Sequence, residues 1–290
     1  MKRTTLMITG AAVMTLCMTA AMAADMTYKF ALGESYTYAW KQVQNVKMKG
    51  MPGMGDGEFA LTMKVDAAMR YKVDAVDKST AALTIGFDSF KLSTDQPGAA
   101  PEQVNQMMKS VSFVKKLDLS GNATSFEVKG VDSTMSQHDI VVMAKSFVER
   151  VHPNLGGKKL KKGVSWSSKA QSAMPLAGLG MNATVNSTES FKVTKIGVWE
   201  GKKAVFLDTQ VAIDITSPSM GGTGKPVMQG KGLLKGTVVF LTTEGRVGEL
   251  TMKGTQTNIL AMPMGAPGAG PDVPEQTQII DMETSLKLNK

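Results

Sequence analysis

Residues 59–73, FALTMKVDAAMRYKV, alternate along their whole length. Phe59, Leu61, Met63, Val65, Ala67, Met69, Tyr71 and Val73 are apolar, and between them fall Thr62, Lys64, Asp66, Arg70, Lys72 and Asp74, with Ala60 and Ala68. A period of two held this long predicts one strand with a dry face and a wet face. At ~3.3 Å per residue such a strand is roughly 50 Å long. Ordinary strands are shorter, and long half-buried ones belong to large antiparallel sheets with one solvated face.

The same reading predicts further strands over 81–92, 191–215 with a turn at Glu200-Gly201, 236–254 with a turn at Glu244-Gly245, and 277–288. The stretch 81–92 pairs with the long strand through DAVDKST. Two segments switch to a helical period. PEQVNQMMKSV starts at Pro101 and repeats Val104, Met107, Met108 and Val111. SQHDIVVMAKSFVERV has Ser136 and Asp139 in capping-box-like spacing, carries Ile140, Met143, Phe147 and Val151 on one stripe, and stops at Pro153. Both read as amphipathic helices lying across the dry face of a sheet.

The chain also repeats itself. Residues 71–92 align with 191–215, 114–130 with 237–254, and 32–40 with 161–169, in the same order. The expected fold is α+β and mainly β, with two tandem related halves of long antiparallel strands and two helices. The expected units are a signal peptide over 1–23, an N-terminal β-rich repeat over 24–155 and a C-terminal one over 156–290. A glycine before an aromatic strand, LDLSGNATSFEVKG, HPNL, KKGVSW and GKGLLKGTVVFLTTEGRV together resemble a family of secreted bacterial proteins with no assigned function. More remotely, curved sheets with helices against the concave face are similar to the bacterial lipoprotein carriers. That second resemblance implies a binder of acyl chains.

The N-terminus sets the expected compartment. Lys2 and Arg3 precede an apolar run that ends in Ala21-Met22-Ala23, the pattern of a secretory signal cleaved after Ala23. Cys17, the single cysteine, has Leu16 before it and Met18 after it, which argues against lipid attachment. The mature chain then has no disulfide and no thiolate ligand. It is expected in the periplasm or outside the cell, and no apolar run after residue 23 reaches the length of a membrane helix.

Of 33 basic residues, removing Lys2 and Arg3 leaves 31 against 25 acids, and only Arg70, Arg150 and Arg246 of these are arginine. Few arginines and few aromatics argue against a nucleic-acid partner. Candidate chemistry is sparse. The two histidines, His138 and His152, sit on and just after the second helix, and His152 reads as a cation favoured by the helix C-terminus. No usual zinc, calcium or nucleophile-elbow spacing occurs. GGTGKPV (221–227) lacks the first glycine of a phosphate loop and has Pro226 where the Ser or Thr should be.

Methionine is the remaining feature, with 23 in the chain. Met63, Met69, Met107, Met143 and Met282 fall on dry faces. Met48, Met51 and Met54 lie in a Gly/Pro-rich loop, and Met262 and Met264 in another, where thioethers could take copper(I). The sequence thus points to a non-catalytic exported or envelope protein that binds an apolar small molecule, an acyl chain or a protein partner, with no cofactor. Copper(I) binding and an enzyme of unrecognised type are the alternatives.

Overall fold

The computed structural model describes residues 24–50, 57–96, 101–130, 144, 148, 151–155, 159–176, 181–219, 226–261 and 275–289. The elements are β1 (Ala24–Asp25), β2 (Ser35–Lys49), β3 (Glu58–Val76), β4 (Thr80–Thr94), α1 (Pro101–Ser110), β5 (Ser112–Asp118), β6 (Ala123–Lys129), β7 (Lys159–Leu160), β8 (Ser165–Leu176), β9 (Met181–Trp199), β10 (Lys202–Thr216), β11 (Met228–Leu241), β12 (Arg246–Leu260) and β13 (Gln276–Leu288). Eleven strands form one antiparallel sheet in the order β6-β5-β4-β3-β2-β13-β12-β11-β10-β9-β8. The short β1 pairs separately with β7.

Residues 24–155 and 156–290 each supply neighbouring strands of that sheet, and they meet where β13 pairs with β2. The β3–β4, β9–β10 and β11–β12 pairs run as the alternation predicts. The β9–β10 connection is two residues, Glu200 (φ 46°) and Gly201 (φ 81°), a turn that matches the twist of its strands. The β3–β4 turn is held by Asp77, whose Oδ1 accepts from the Ser79 and Thr80 amides and whose Oδ2 accepts from the Thr80 hydroxyl. Asp118 does the same in the β5–β6 turn. The first helix begins at Pro101 as expected. Of the second, only Ala144 and Val148 are described; both are helical and buried, and Val151 of the expected stripe, which follows in a bend, is buried too.

Burial along β3 follows the alternation, with Val65, Ala67, Met69, Tyr71 and Val73 buried and Lys64, Asp66, Arg70 and Lys72 exposed. The dry faces of all long strands join in one hydrophobic cluster containing residues from both halves. The wet face carries ion pairs such as Arg70–Asp88 at 3.0 Å and Lys41–Asp66 at 3.8 Å.

The dry face is the inside of a strong curl. Laid flat, eleven strands at ~4.8 Å spacing would hold their edges roughly 48 Å apart. Yet Asn154 bonds to both edges. Its side-chain amide donates to Asn122 in the β5–β6 turn, and its backbone carbonyl accepts from Trp166 Nε1 of β8 at 2.7 Å. Glycines permit the bend. A Cβ on Gly236 of β11 would meet the Thr251 carbonyl at 1.8 Å, and one on Gly254 of β12 the Leu233 carbonyl at 2.0 Å. Glycine in a strand allows so close an approach, and a tight bend of the sheet is one setting in which it is used.

Candidate ligand-binding face

The antiparallel order gives the curled sheet two unlike ends. At one, the connections are tight: 77–79, 119–122, 200–201 and 242–245. At the other lie 50–57, 95–100 with α1, 177–180, 217–227 and 261–275. We call these the closed end and the loop end.

The closed end is plugged. The segment after β1 crosses it: the Tyr28 amide donates to Leu119 O, the Lys29 amide to Gly245 O and the Gly33 amide to Val73 O, each near 3 Å. Tyr28 donates its hydroxyl to Pro153 O at 3.1 Å and packs edge-on against Phe240 at 5.4 Å. All four tyrosines of the chain gather here: Tyr71 stacks on Tyr36 at 5.3 Å and meets Tyr38 at 5.1 Å, and both Tyr28 and Tyr71 touch His152. Burial pushes the hydroxyl pKa of Tyr28, Tyr38 and Tyr71 well above the ordinary value. Across the mouth of this plug, Tyr38 donates to Val247 O of β12 at 2.7 Å. Arg246 lies over the Tyr36 ring and pairs with Glu34.

His152 corrects the sequence reading. It is not a solvated cation at a helix end but is buried in the tyrosine cluster. Loss of solvent, and then the positive charge of Lys115, push its pKa well below 6.5, so it is neutral at pH 7. Its Nδ1 has no hydrogen-bond partner among the described residues. Lys115, also buried, donates to Val148 O at 3.2 Å. Among the described residues no three His, Cys, Asp or Glu side chains converge as a metal site would require.

Toward the loop end the inner wall changes character. Tyr38 and Trp40 set the inward parity of β2, so Gln42, Gln44, Val46 and Met48 also point inward. Gln42 lies between Val65 of β3 and Thr284 of β13, and Gln44 between Met63 and Met282. Val46 lies between Leu61 and Ile280, and Met48 between Phe59 and Gln278. On β12 the inward residues Gln256 and Asn258 face Gly232 and Gly230 of β11. In these rows Phe59, Leu61, Met63, Met282, Ile280 and Met48 are half-buried, whereas Tyr71, Val73, Leu83 and Phe113 near the plug are fully buried. Toward the loop end the wall is therefore partly accessible on β3 and β13, while Val46 of β2 and Ile215, Met228 and Asn258 of β10–β12 stay buried there.

Of the sequence-selected thioethers, Met48 ends β2, opposite Phe59 and Gln278. Met51, Met54, Met262 and Met264 lie outside the described residues, as do 1–23, His138, Met143 and most of 221–227. The anchors of the two methionine loops abut, since a Cβ on Gly50 would meet the Glu275 carbonyl at 2.9 Å. The inward glutamines were missed because Gln breaks an apolar alternation. The signal that could have found them is the parity fixed by Tyr38 and Trp40.

Two open depressions, of 680 and 770 Å³, lie between β8 and β11. Outward side chains such as Lys192, Asp208, Lys169 and Asp214 line them. These belong to the hydrated face and gather no convergent set of like groups.

No family model matches the chain, and no curated protein matches it in sequence. Among solved structures, a lipovitellin structure concerned with lipid–protein interactions is similar at 10% identity and a TM-score of 0.47, covering 90% of this chain. The chain spans 26% of that protein's length. An outer membrane channel from Pseudomonas putida F1 is similar at 8% identity and a TM-score of 0.23, covering 90% of this chain and 97% of the channel. The monoaromatic hydrocarbon channel CymD is similar at 9% identity and a TM-score of 0.18, covering 89% of each chain. All three scores fall below 0.5, and none of these likenesses bears on what this chain binds. A lipid-facing barrel turns apolar residues outward, whereas this sheet turns them inward and carries ion pairs outside. Among the described residues no helix is long and apolar enough to cross a membrane. The molecule is a mainly β protein built on one large, curled, unclosed antiparallel sheet.

Proposed function

We propose that this chain is a non-catalytic protein of the cell envelope or exterior that holds an apolar ligand against the inner wall of its sheet, admitted at the loop end. The observation that carries the reading is a half-buried apolar patch on the inner wall. Phe59, Leu61, Met63, Met48, Ile280 and Met282, on β2, β3 and β13 toward the loop end, are half-buried, whereas Val46, Ile215 and Met228 at that end are buried. An inward wall that stays partly accessible at one end suits a guest that enters there. Methionines on that wall, Met48, Met63 and Met282, adapt their shape to varied guests. The non-catalytic reading is supported by His152, which is sealed in the plug beyond reach of anything at the loop end.

Titration with an uncharged pyrene-labelled alkane tests it. The expected result is saturable binding at one site, weakened by a Met63→Glu/Met282→Glu double variant that places carboxylates on the wall. Absence of saturable binding, or equal binding by the double variant, overturns the reading.

A further inference from the structure

We infer that the guest carries uncharged ester groups, as a neutral acylglycerol does, and that Gln42 and Gln44 recognise them; this rests on the reading just given. Gln42 is 4% exposed and Gln44 9% exposed, and neither side-chain amide makes a hydrogen bond among the described residues. A buried amide without partners is costly, and such groups in folded proteins are nearly always paired. Unlike Tyr71 Oη and His152 Nδ1, these amides are not among the fully sealed unpaired atoms. Their neighbours cannot satisfy them. Val65, Met63 and Met282 have no strong hydrogen-bonding groups. The Thr284 hydroxyl is engaged by Trp40 Nε1 at 3.2 Å and by Lys41 O at 3.3 Å.

The two glutamines stand on one strand two residues apart, so their heads lie roughly 7 Å from each other on the same face. Each offers N–H donors and a carbonyl acceptor but no charge. Nearer the loop end, level with Val46 and Met48, Gln256 donates to Asn258 at 2.9 Å and Asn258 to Gln278 at 2.9 Å, a second set of neutral amides on β12 and β13. From β3 to β10 the inward positions level with these residues include no charged side chain.

Charge selects further. Lys115 lies at the plug, opposite Leu83, which in turn faces Val73. That is eight residues along β3 from Val65, or roughly 26 Å. Among the described residues a carboxylate or phosphate headgroup there would find donors but no inward cation nearer than Lys115. An ester carbonyl finds N–H donors already in place, with the acyl chains lying on Met63, Met282 and Leu61.

The experiment compares three pyrene probes of equal chain length on the full chain: an alkane, a fatty acid and a diacylglycerol. Each is titrated into the parent and into a Gln42→Leu/Gln44→Leu double variant. The expected result is a diacylglycerol affinity roughly tenfold above that of the alkane or the acid. The double variant should lose this preference while holding the alkane as before. Its thermal midpoint should not fall, because the substitution removes unpaired amides from a buried wall. Equal affinity of alkane and diacylglycerol in the parent, tighter binding of the acid, or an unchanged preference in the double variant would sink the ester assignment and leave the apolar site standing. Failure of all three probes would instead remove the apolar site itself.

Discussion

Single positions on β3 make the sharpest test of the curled sheet. Met69 is fully buried, and Lys64 on the same strand is exposed. Met69→Asp should therefore cost several kcal/mol, on the order of 4, by placing a carboxylate without a partner in the core. Lys64→Asp should change stability by less than about 0.5 kcal/mol. Urea denaturation reads both, and similar losses at the two sites would contradict the assigned faces. Met63, the other inward methionine of this strand, is only half-buried, so its truncation should be milder than that of Met69. His152 adds a pH dependence. Its folded pKa lies well below the 6.5 of the unfolded chain, so the native state resists protonation. Above 6.5 neither state binds the proton, and the full stability is present. As pH falls below 6.5 the unfolded state takes up the proton first, and stability declines. The melting temperature should thus drop between pH 7 and pH 5, and His152→Phe should flatten that drop. A His152→Phe profile parallel to the parent's would refute the assignment.

Elements were legible in the sequence to the extent that one face was apolar and the pairing local. β3, β4, β10 and the β9–β10 and β11–β12 turns could be read because alternation and glycine signals agree there. β8 and the first half of β9 could not. Their residues, such as Ser167, Ser168, Ser187 and Thr188, are polar on both faces, β8 being the edge strand and this part of β9 its neighbour. β2 was half-legible: the inward Gln42 and Gln44 interrupt the apolar pattern at the place where the proposed ligand contacts lie. The bend in β11 and β12 was invisible, since a glycine in a strand does not say which backbone comes close. Two substitutions separate its possible roles. Gly201→Ala meets open space and should cost about 1 kcal/mol for its left-handed backbone alone. Gly236→Ala drives a Cβ into the Thr251 carbonyl and should cost about 3 kcal/mol. Equal costs in thermal unfolding would mean that the close approach at Gly236 relaxes freely.

At the scale of the whole molecule, the curl is fastened where Asn154 joins the β5–β6 turn to Trp166 of β8. Asn154→Ala removes the side-chain bond to Asn122 but keeps the backbone carbonyl to which Trp166 donates, so it should lower stability by only about 1 kcal/mol. Amide exchange should quicken on β6 in that variant and on β8 in Trp166→Phe. Unchanged exchange on the matching edge in either variant would refute the fastening. This closure was beyond reach of the sequence: nothing in HPNL announces contacts with residues on either side of a sheet eleven strands wide.

The seam between β2 and β13 has a consequence in time. Tyr38 pairs with Leu288 and Lys49 with Thr277, partners more than two hundred residues apart in the chain. A chain emerging vectorially from a ribosome or a translocation pore makes the β2 strand early and its neighbour last. Throughout that interval the β2 edge offers unpaired amides and carbonyls beside Tyr38 and Trp40, the sort of edge on which other chains aggregate. Contacts of such sequence separation also fold slowly, because the chain must lose much freedom before they form. The biosynthesis of this protein should therefore depend on a holding chaperone until residues 276–288 are free to dock.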